Sequence, residues 1–161
     1  MKTISLRAAL MTFGMGAVAL SALAYAAGSL HASTTKDLMD AMHGEAFASV
    51  KYMAYADAAR AHGNPQLGDL FERTAKVERQ EHFAAHAKLA GLVGSDADNL
   101  REASKGENYE TTEMYPQMAR RAEAAGDKAV AQHFREVGND EAKHRDAFTA
   151  ALAKVEAKRT R

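Results

Sequence analysis

The sequence predicts an all-α protein of four helices, arranged as two repeated helical hairpins. Three observations carry that reading. From Ser33 onward the chain is rich in Ala, Glu and Lys, with no strand-like alternation of β-branched residues, which is the composition of helices. Its two prolines, Pro65 and Pro116, leave long stretches free of helix breakers. Finally, landmark residues recur at a shift of 63: Tyr52 falls on Tyr115, Gly63 on Gly126, Phe71 on Phe134 and Glu78 on Glu141.

The first helix is expected over 34–62, behind the caps Ser33-Thr34-Thr35. Gly63-Asn64-Pro65 stops it and starts the second, over 65–90, with Pro as its first residue. A loop follows at 91–98 (GLVGSDAD), and Asp98 or Asn99 caps a third helix over 99–125. Gly126-Asp127 breaks again, and the fourth helix covers 127–158. One segment needs a shift of 62 instead, laying Gly44-Glu45 on Gly106-Glu107. The third helix therefore carries an extra residue ahead of Pro116. A mid-helix proline costs about 3 kcal/mol unless the hydrogen-bond ladder is already broken, so a π-bulge is expected between Glu107 and Pro116.

The loop sets the topology. The second helix runs about 18 Å past Glu78, and the third begins about 12 Å before Glu107, at 1.5 Å per residue. With those glutamates level and the two helices parallel, the connection climbs about 30 Å. Eight or nine extended residues span about 27–30 Å. An up-down-down-up four-helix bundle, with a crossover between the second and third helices, is the expected order.

The first 26 residues read as a signal peptide. Lys2 and Arg7 precede the apolar stretch 8–24, and Ala24-Tyr25-Ala26 offers a small-x-small cleavage site. The expectation is export, to a bacterial periplasm, with cleavage near Ala26 and a single domain over 33–158. Lys plus Arg equals Asp plus Glu at 21 each, and losing Lys2 and Arg7 leaves a net charge near −2. Such a surface has no electrostatic footprint for nucleic acid. The chain has no cysteine, which excludes disulfides, thiolate metal sites and a cysteine nucleophile.

Chemistry concentrates at the middle of each helix. Glu45 lies on the first; Glu78, Glu81 and His82 on the second; Glu107 and Glu110 on the third; Glu141 and His144 on the fourth. Any one of these alone reads as surface charge, but they recur at matched places in both halves. So many ionisable groups at one level in a core need counter-charge. Two divalent cations balance four carboxylates, and carboxylate oxygens with one or two imidazoles suit iron or manganese.

Gly44-Glu45 with Tyr52, Glu78, Gly106-Glu107-Asn108-Tyr109-Glu110, Met114-Tyr115-Pro116 and Glu141-Ala142-Lys143-His144 together resemble the rubrerythrin family of ferritin-like di-iron proteins. The resemblance implies a ferritin-like bundle with two iron ions per chain, manganese or an iron–manganese pair being the alternative load. It implies reduction of hydrogen peroxide to water, with dioxygen as the other oxidant, in a homodimer. It implies ligand roles for Glu45, Glu78, Glu107, Glu110, Glu141 and His144, with Tyr52 and Tyr115 donating hydrogen bonds to them. There are two departures. The family places a His three residues after the second-helix Glu, where this chain has Glu81, with His82 beside it. Because the shift of 63 lays Glu81 on His144, Glu81 is the expected ligand and His82 the second choice. The cysteine-ligated rubredoxin site has no counterpart here, so electrons must come from an external donor. The alternative function is a ferritin-like iron-binding protein that oxidises ferrous iron without a peroxidase cycle.

Overall fold

In the computed structural model of the chain, residues 30–159 are described; the expected signal peptide over 1–26 lies outside them. The described residues are helical, with no strand among them. Helix α1 (Ala32–Ala61) is followed by α2 (Pro65–Val77), which passes through a π turn (Glu78–Phe83) into α3 (Ala84–Ala90). Helix α4 (Asp96–Tyr109) passes through a second π turn (Glu110–Met114) into α5 (Tyr115–Ala125), and α6 (Lys128–Arg159) closes the chain. These make four long helices in two hairpins. No described helix is long and apolar enough to cross a membrane.

The turns follow the expected chemistry. Gly63, Gly91 and Gly126 adopt φ of +77°, +62° and +87°, the left-handed conformation that glycine supplies at helix ends. Pro65 opens α2, where its missing N–H costs nothing. The start of α4 departs from expectation. Ser95, not Asp98 or Asn99, is the cap, and its Oγ accepts from Asp98 N at 3.3 Å. Asn99 braces the connector instead: its Oδ1 accepts from Gly94 N (2.8 Å) and its Nδ2 donates to Gly94 O (3.2 Å). The connector between the hairpins therefore shrinks to residues 91–95.

Each hairpin is sealed by small residues. Ala56, Ala59, Gly68 and Ala75 are buried where α1 meets α2, and Ala119, Ala131 and Gly138 where α5 meets α6. Ser49 Oγ donates to the Ala75 carbonyl at 2.9 Å across the first seam. Arg60 reaches from α1 to Asp69 (3.0 Å) and Glu72 on α2, while Arg101 pairs with Glu156, and Arg135 with Glu123 at 2.8 Å, in the second hairpin. The closeness of the first seam is testable. A Cβ on Gly68 would meet Arg60 Cγ at 2.7 Å and Ala56 O at 3.0 Å. Alanine gains about 1 kcal/mol of helix propensity over glycine, but overpacking costs typically 1–3 kcal/mol. We therefore expect Gly68→Ala to cost about 1 kcal/mol net, read as a lower midpoint of thermal unfolding.

Both π turns explain breaks in the repeat. The turn at Glu110–Met114 lies where the extra residue before Pro116 was expected. Pro116, without an N–H, falls at the start of α5, where the ladder is already widened. The turn at Glu78–Phe83 inserts a residue in the second helix, with no proline to mark it.

Candidate metal centre

Each hairpin brings together two carboxylates and one imidazole. In the first, Glu45 from α1 meets Glu78 and His82 from the π turn; in the second, Glu107 from α4 meets Glu141 and His144 from α6. Within each group the nearest donor atoms all lie within 4.8 Å of one another. The two groups mirror each other closely. His82 Nδ1 donates to Glu78 Oε2 at 2.7 Å and lies 3.8 Å from Glu45 Oε1. His144 Nδ1 donates to Glu141 Oε2 at 2.7 Å and lies 3.8 Å from Glu107 Oε2.

On the second helix the structure brings His82, the second choice, and not Glu81 to the group. Glu81 is exposed and its side chain makes no hydrogen bond or ion pair with another described residue, whereas His82 stands with Glu45 and Glu78. The cause is the π turn. Its i→i+5 bonding widens the turn by about one residue, so the position four after Glu78 takes the face that the position three after Glu141 takes on an ordinary α-helix. The signal was present in the sequence: a shift of 62, already needed for Glu45 and Glu107, lays His82 on His144.

Of the other expected residues, Glu110 is half-buried at the start of its π turn and outside the close groups, but its charge acts on Glu107 and Tyr115. The Tyr115 ring packs beside Phe134 and the Tyr52 ring beside Phe71, with centroids 6.2 and 6.1 Å apart. Neither tyrosine hydroxyl is hydrogen-bonded to another described residue. Burial, then the charges of Glu110, Glu141 and Glu107, push the Tyr115 phenol above its ordinary value of 10.0. It therefore keeps its proton across the neutral range.

The donor set fits a metal. Glu107 Oε2 is buried without a hydrogen-bond partner, an arrangement that is costly unless something else satisfies the oxygen. Burial raises the Glu107 pKa above 4.5, aided by the neighbouring Glu141 carboxylate, with which a protonated Glu107 would share its proton, and by the charge of Glu110, while His144 opposes the rise. A raised carboxyl pKa means that the metal-free fold binds this proton more tightly than the unfolded chain does. The stabilisation is present below the ordinary carboxylate range and is lost as pH rises through the raised value. Glu107→Gln should thus raise the melting temperature of metal-free protein at neutral pH. The gap to wild type should shrink towards zero near about pH 4, which thermal unfolding across pH would show.

Four long helices in two hairpins, with carboxylate–histidine groups at mid-helix, define an all-α protein of the ferritin-like metal-binding class. The comparisons agree. The rubrerythrin family model matches residues 36–152. A rubrerythrin of Porphyromonas gingivalis is 37% identical over 135 residues, covering 76% of this chain and 68% of that protein. The nigerythrin of Nitratidesulfovibrio vulgaris is 32% identical over 138 residues, covering 78% and 68%. A structure titled as the fully reduced, all-ferrous state of nigerythrin aligns over 84% of this chain and 73% of that one, at 30% identity and a TM-score of 0.40. The chain belongs to the rubrerythrin family and carries its ferritin-like, di-iron part.

Proposed function

We propose that the protein is an exported di-iron oxidoreductase that reduces hydrogen peroxide to water. The observation that carries the reading is the pair of mirror-image groups, Glu45/Glu78/His82 and Glu107/Glu141/His144. Family membership supports the di-iron role, and the basic, apolar and small-x-small pattern of residues 1–26 supports export.

The six residues would hold two iron ions, with Glu110 adding negative charge that acts on Glu107 and Tyr115. When bound, two ferrous ions supply the two electrons that the O–O bond takes up and polarise the departing oxygens. The chain's own part is charge and protons. Four carboxylates neutralise two divalent ions, and the imidazoles add neutral ligands without adding negative charge. Tyr115, protonated and facing Glu110, Glu141 and Glu107, is placed to hand a proton towards the departing oxygen and regain one from solvent. Each turnover consumes one peroxide, two protons and two electrons and yields two waters; an external donor then restores the ferrous state.

The alternative, ferrous oxidation without a peroxidase cycle, is favoured by one observation: these 161 residues contain no cysteine to build an electron-feeding iron site. Anaerobic ferrous titration followed by rapid mixing with peroxide or with air-saturated buffer separates the two. The peroxidase reading expects two irons per chain, one peroxide consumed per iron pair, and faster oxidation by peroxide than by dioxygen. Uptake beyond two irons, with dioxygen the faster oxidant, would establish the alternative.

A further inference from the structure

Each hairpin holds half of a two-metal site, and within one chain the halves stay apart. No Cα in the helices of the first hairpin lies within 8 Å of a Cα in the helices of the second. What the seams bury is mostly alanine and glycine, and no large side chain is fully buried among the described residues. Large apolar residues on both hairpins remain open: Tyr55 is 46% exposed, Leu67 43%, Leu70 52% and Val130 46%. The imidazoles of His82 and His144 are 51% and 59% exposed.

The connector decides how the halves can meet. Helix runs about 18 Å from Glu78 to Ala90 and about 16 Å from Asp96 to Glu107, at 1.5 Å per residue. In the up-down-down-up order, with Glu78 and Glu107 level, the chain must climb about 34 Å between Ala90 and Asp96. Residues 91–95 give six Cα–Cα steps, which reach at most about 22 Å. The hairpins of one chain therefore cannot close on each other in that order. An antiparallel return would lay α3 beside α4 at the connector, and those helices make no contact.

We infer that a second copy of the chain completes the site by reciprocal exchange. The first hairpin of each protomer packs on the second hairpin of its partner, so each two-metal centre takes Glu45, Glu78 and His82 from one chain and Glu107, Glu141 and His144 from the other. A closed two-fold dimer then carries two complete centres and covers both open faces, with the short connector acting as the hinge of the exchange. The partner is this same chain because the repeat makes the two hairpins matching halves of one bundle. The metal readout below rests on the di-iron reading; the sedimentation readout does not.

Two measurements test the exchange. Wild type should sediment as a dimer with and without iron, and inserting about twelve Gly/Ser residues after Gly94 should yield a helical monomer, since the connector then spans the climb. Secondly, Glu78→Ala/His82→Ala and Glu107→Ala/Glu141→Ala proteins should each lack tight paired ferrous binding, because every centre in either dimer has one crippled half. Unfolded together and co-refolded at equal amounts, they should recover about a quarter of wild-type paired sites, since half the dimers are mixed and each of those has one intact centre. A wild-type monomer, or no recovery on mixing while wild type binds two irons per chain, would overturn the exchange. Retention of half the paired sites by each variant alone would overturn it too, by showing that like hairpins pair. If wild type binds no paired iron, the function above fails, and sedimentation with the lengthened connector still decides the exchange.

Discussion

Replacing His82 with alanine should weaken the second ferrous ion by at least about 100-fold, while Glu81→Ala should change iron affinity by no more than about threefold. Loss even of the partners that orient a metal ligand typically costs about 10–100-fold, so loss of the ligand itself should cost more. The contrast rests on geometry. His82 Nδ1 is 2.7 Å from Glu78 Oε2 and 3.8 Å from Glu45 Oε1, whereas Glu81 is solvent-exposed. Anaerobic titration followed by optical or Mössbauer spectroscopy of each variant provides the measurement. Equal losses in both variants would show that the π turn rearranges when metal binds, so that neighbouring residues share the ligand position.

Removing the metal should lower the melting temperature by roughly 15 °C. An ion present at 100 times its dissociation constant stabilises a fold by about 2.7 kcal/mol, so two give roughly 5 kcal/mol. For a domain of this size 1 kcal/mol moves the midpoint by about 2–8 °C. The metal-free protein also has clustered acids within 4.8 Å of each other and a buried Glu107 oxygen without a partner. Calorimetry of chelated and iron-loaded samples at neutral pH would check the shift, and Glu107→Gln should narrow it from both ends. A midpoint indifferent to chelation would mean that the folded chain does not use these groups to hold iron.

Much of this was legible in the sequence, for identifiable reasons. Glu45, Glu78, Glu107, Glu141 and His144 stood out because a duplicated hairpin repeats its chemistry, and accident does not repeat at a fixed shift. The π turn before Pro116 was legible because proline cannot donate the hydrogen bond that an α-helix would require there. Its counterpart at Glu78–Phe83 was legible only through the shift of 62 that lays His82 on His144, because a π turn is a pattern of backbone bonding and no side chain in ERQEHF announces it. That widened turn is why His82, and not the expected Glu81, stands beside Glu45 and Glu78. The start of the third helix was misplaced because Ser95, Asp98 and Asn99 are all competent caps, and only the folded connector shows that Asn99 is engaged with Gly94. With Ser95 as the cap, the connector between the hairpins is residues 91–95 rather than the 91–98 expected.

The π turn at Glu78–Phe83 also sets how the chain tolerates loss of a residue. A deletion inside a helix normally rotates everything beyond it by about 100° and scrambles the buried face. Here the turn already holds one residue more than an α-helix needs, and Arg79, Gln80 and Glu81 are all exposed. Deleting Gln80 should let the turn relax to ordinary α-helix, leave Ala87 on its buried seam, and place the histidine three residues after Glu78, the spacing seen at Glu141 and His144. Such a deletant should fold at least as stably as wild type and retain paired iron, whereas deleting one residue from the middle of α6 should abolish both. The widened turn is thus a spare residue held in the helix, removable without loss of register.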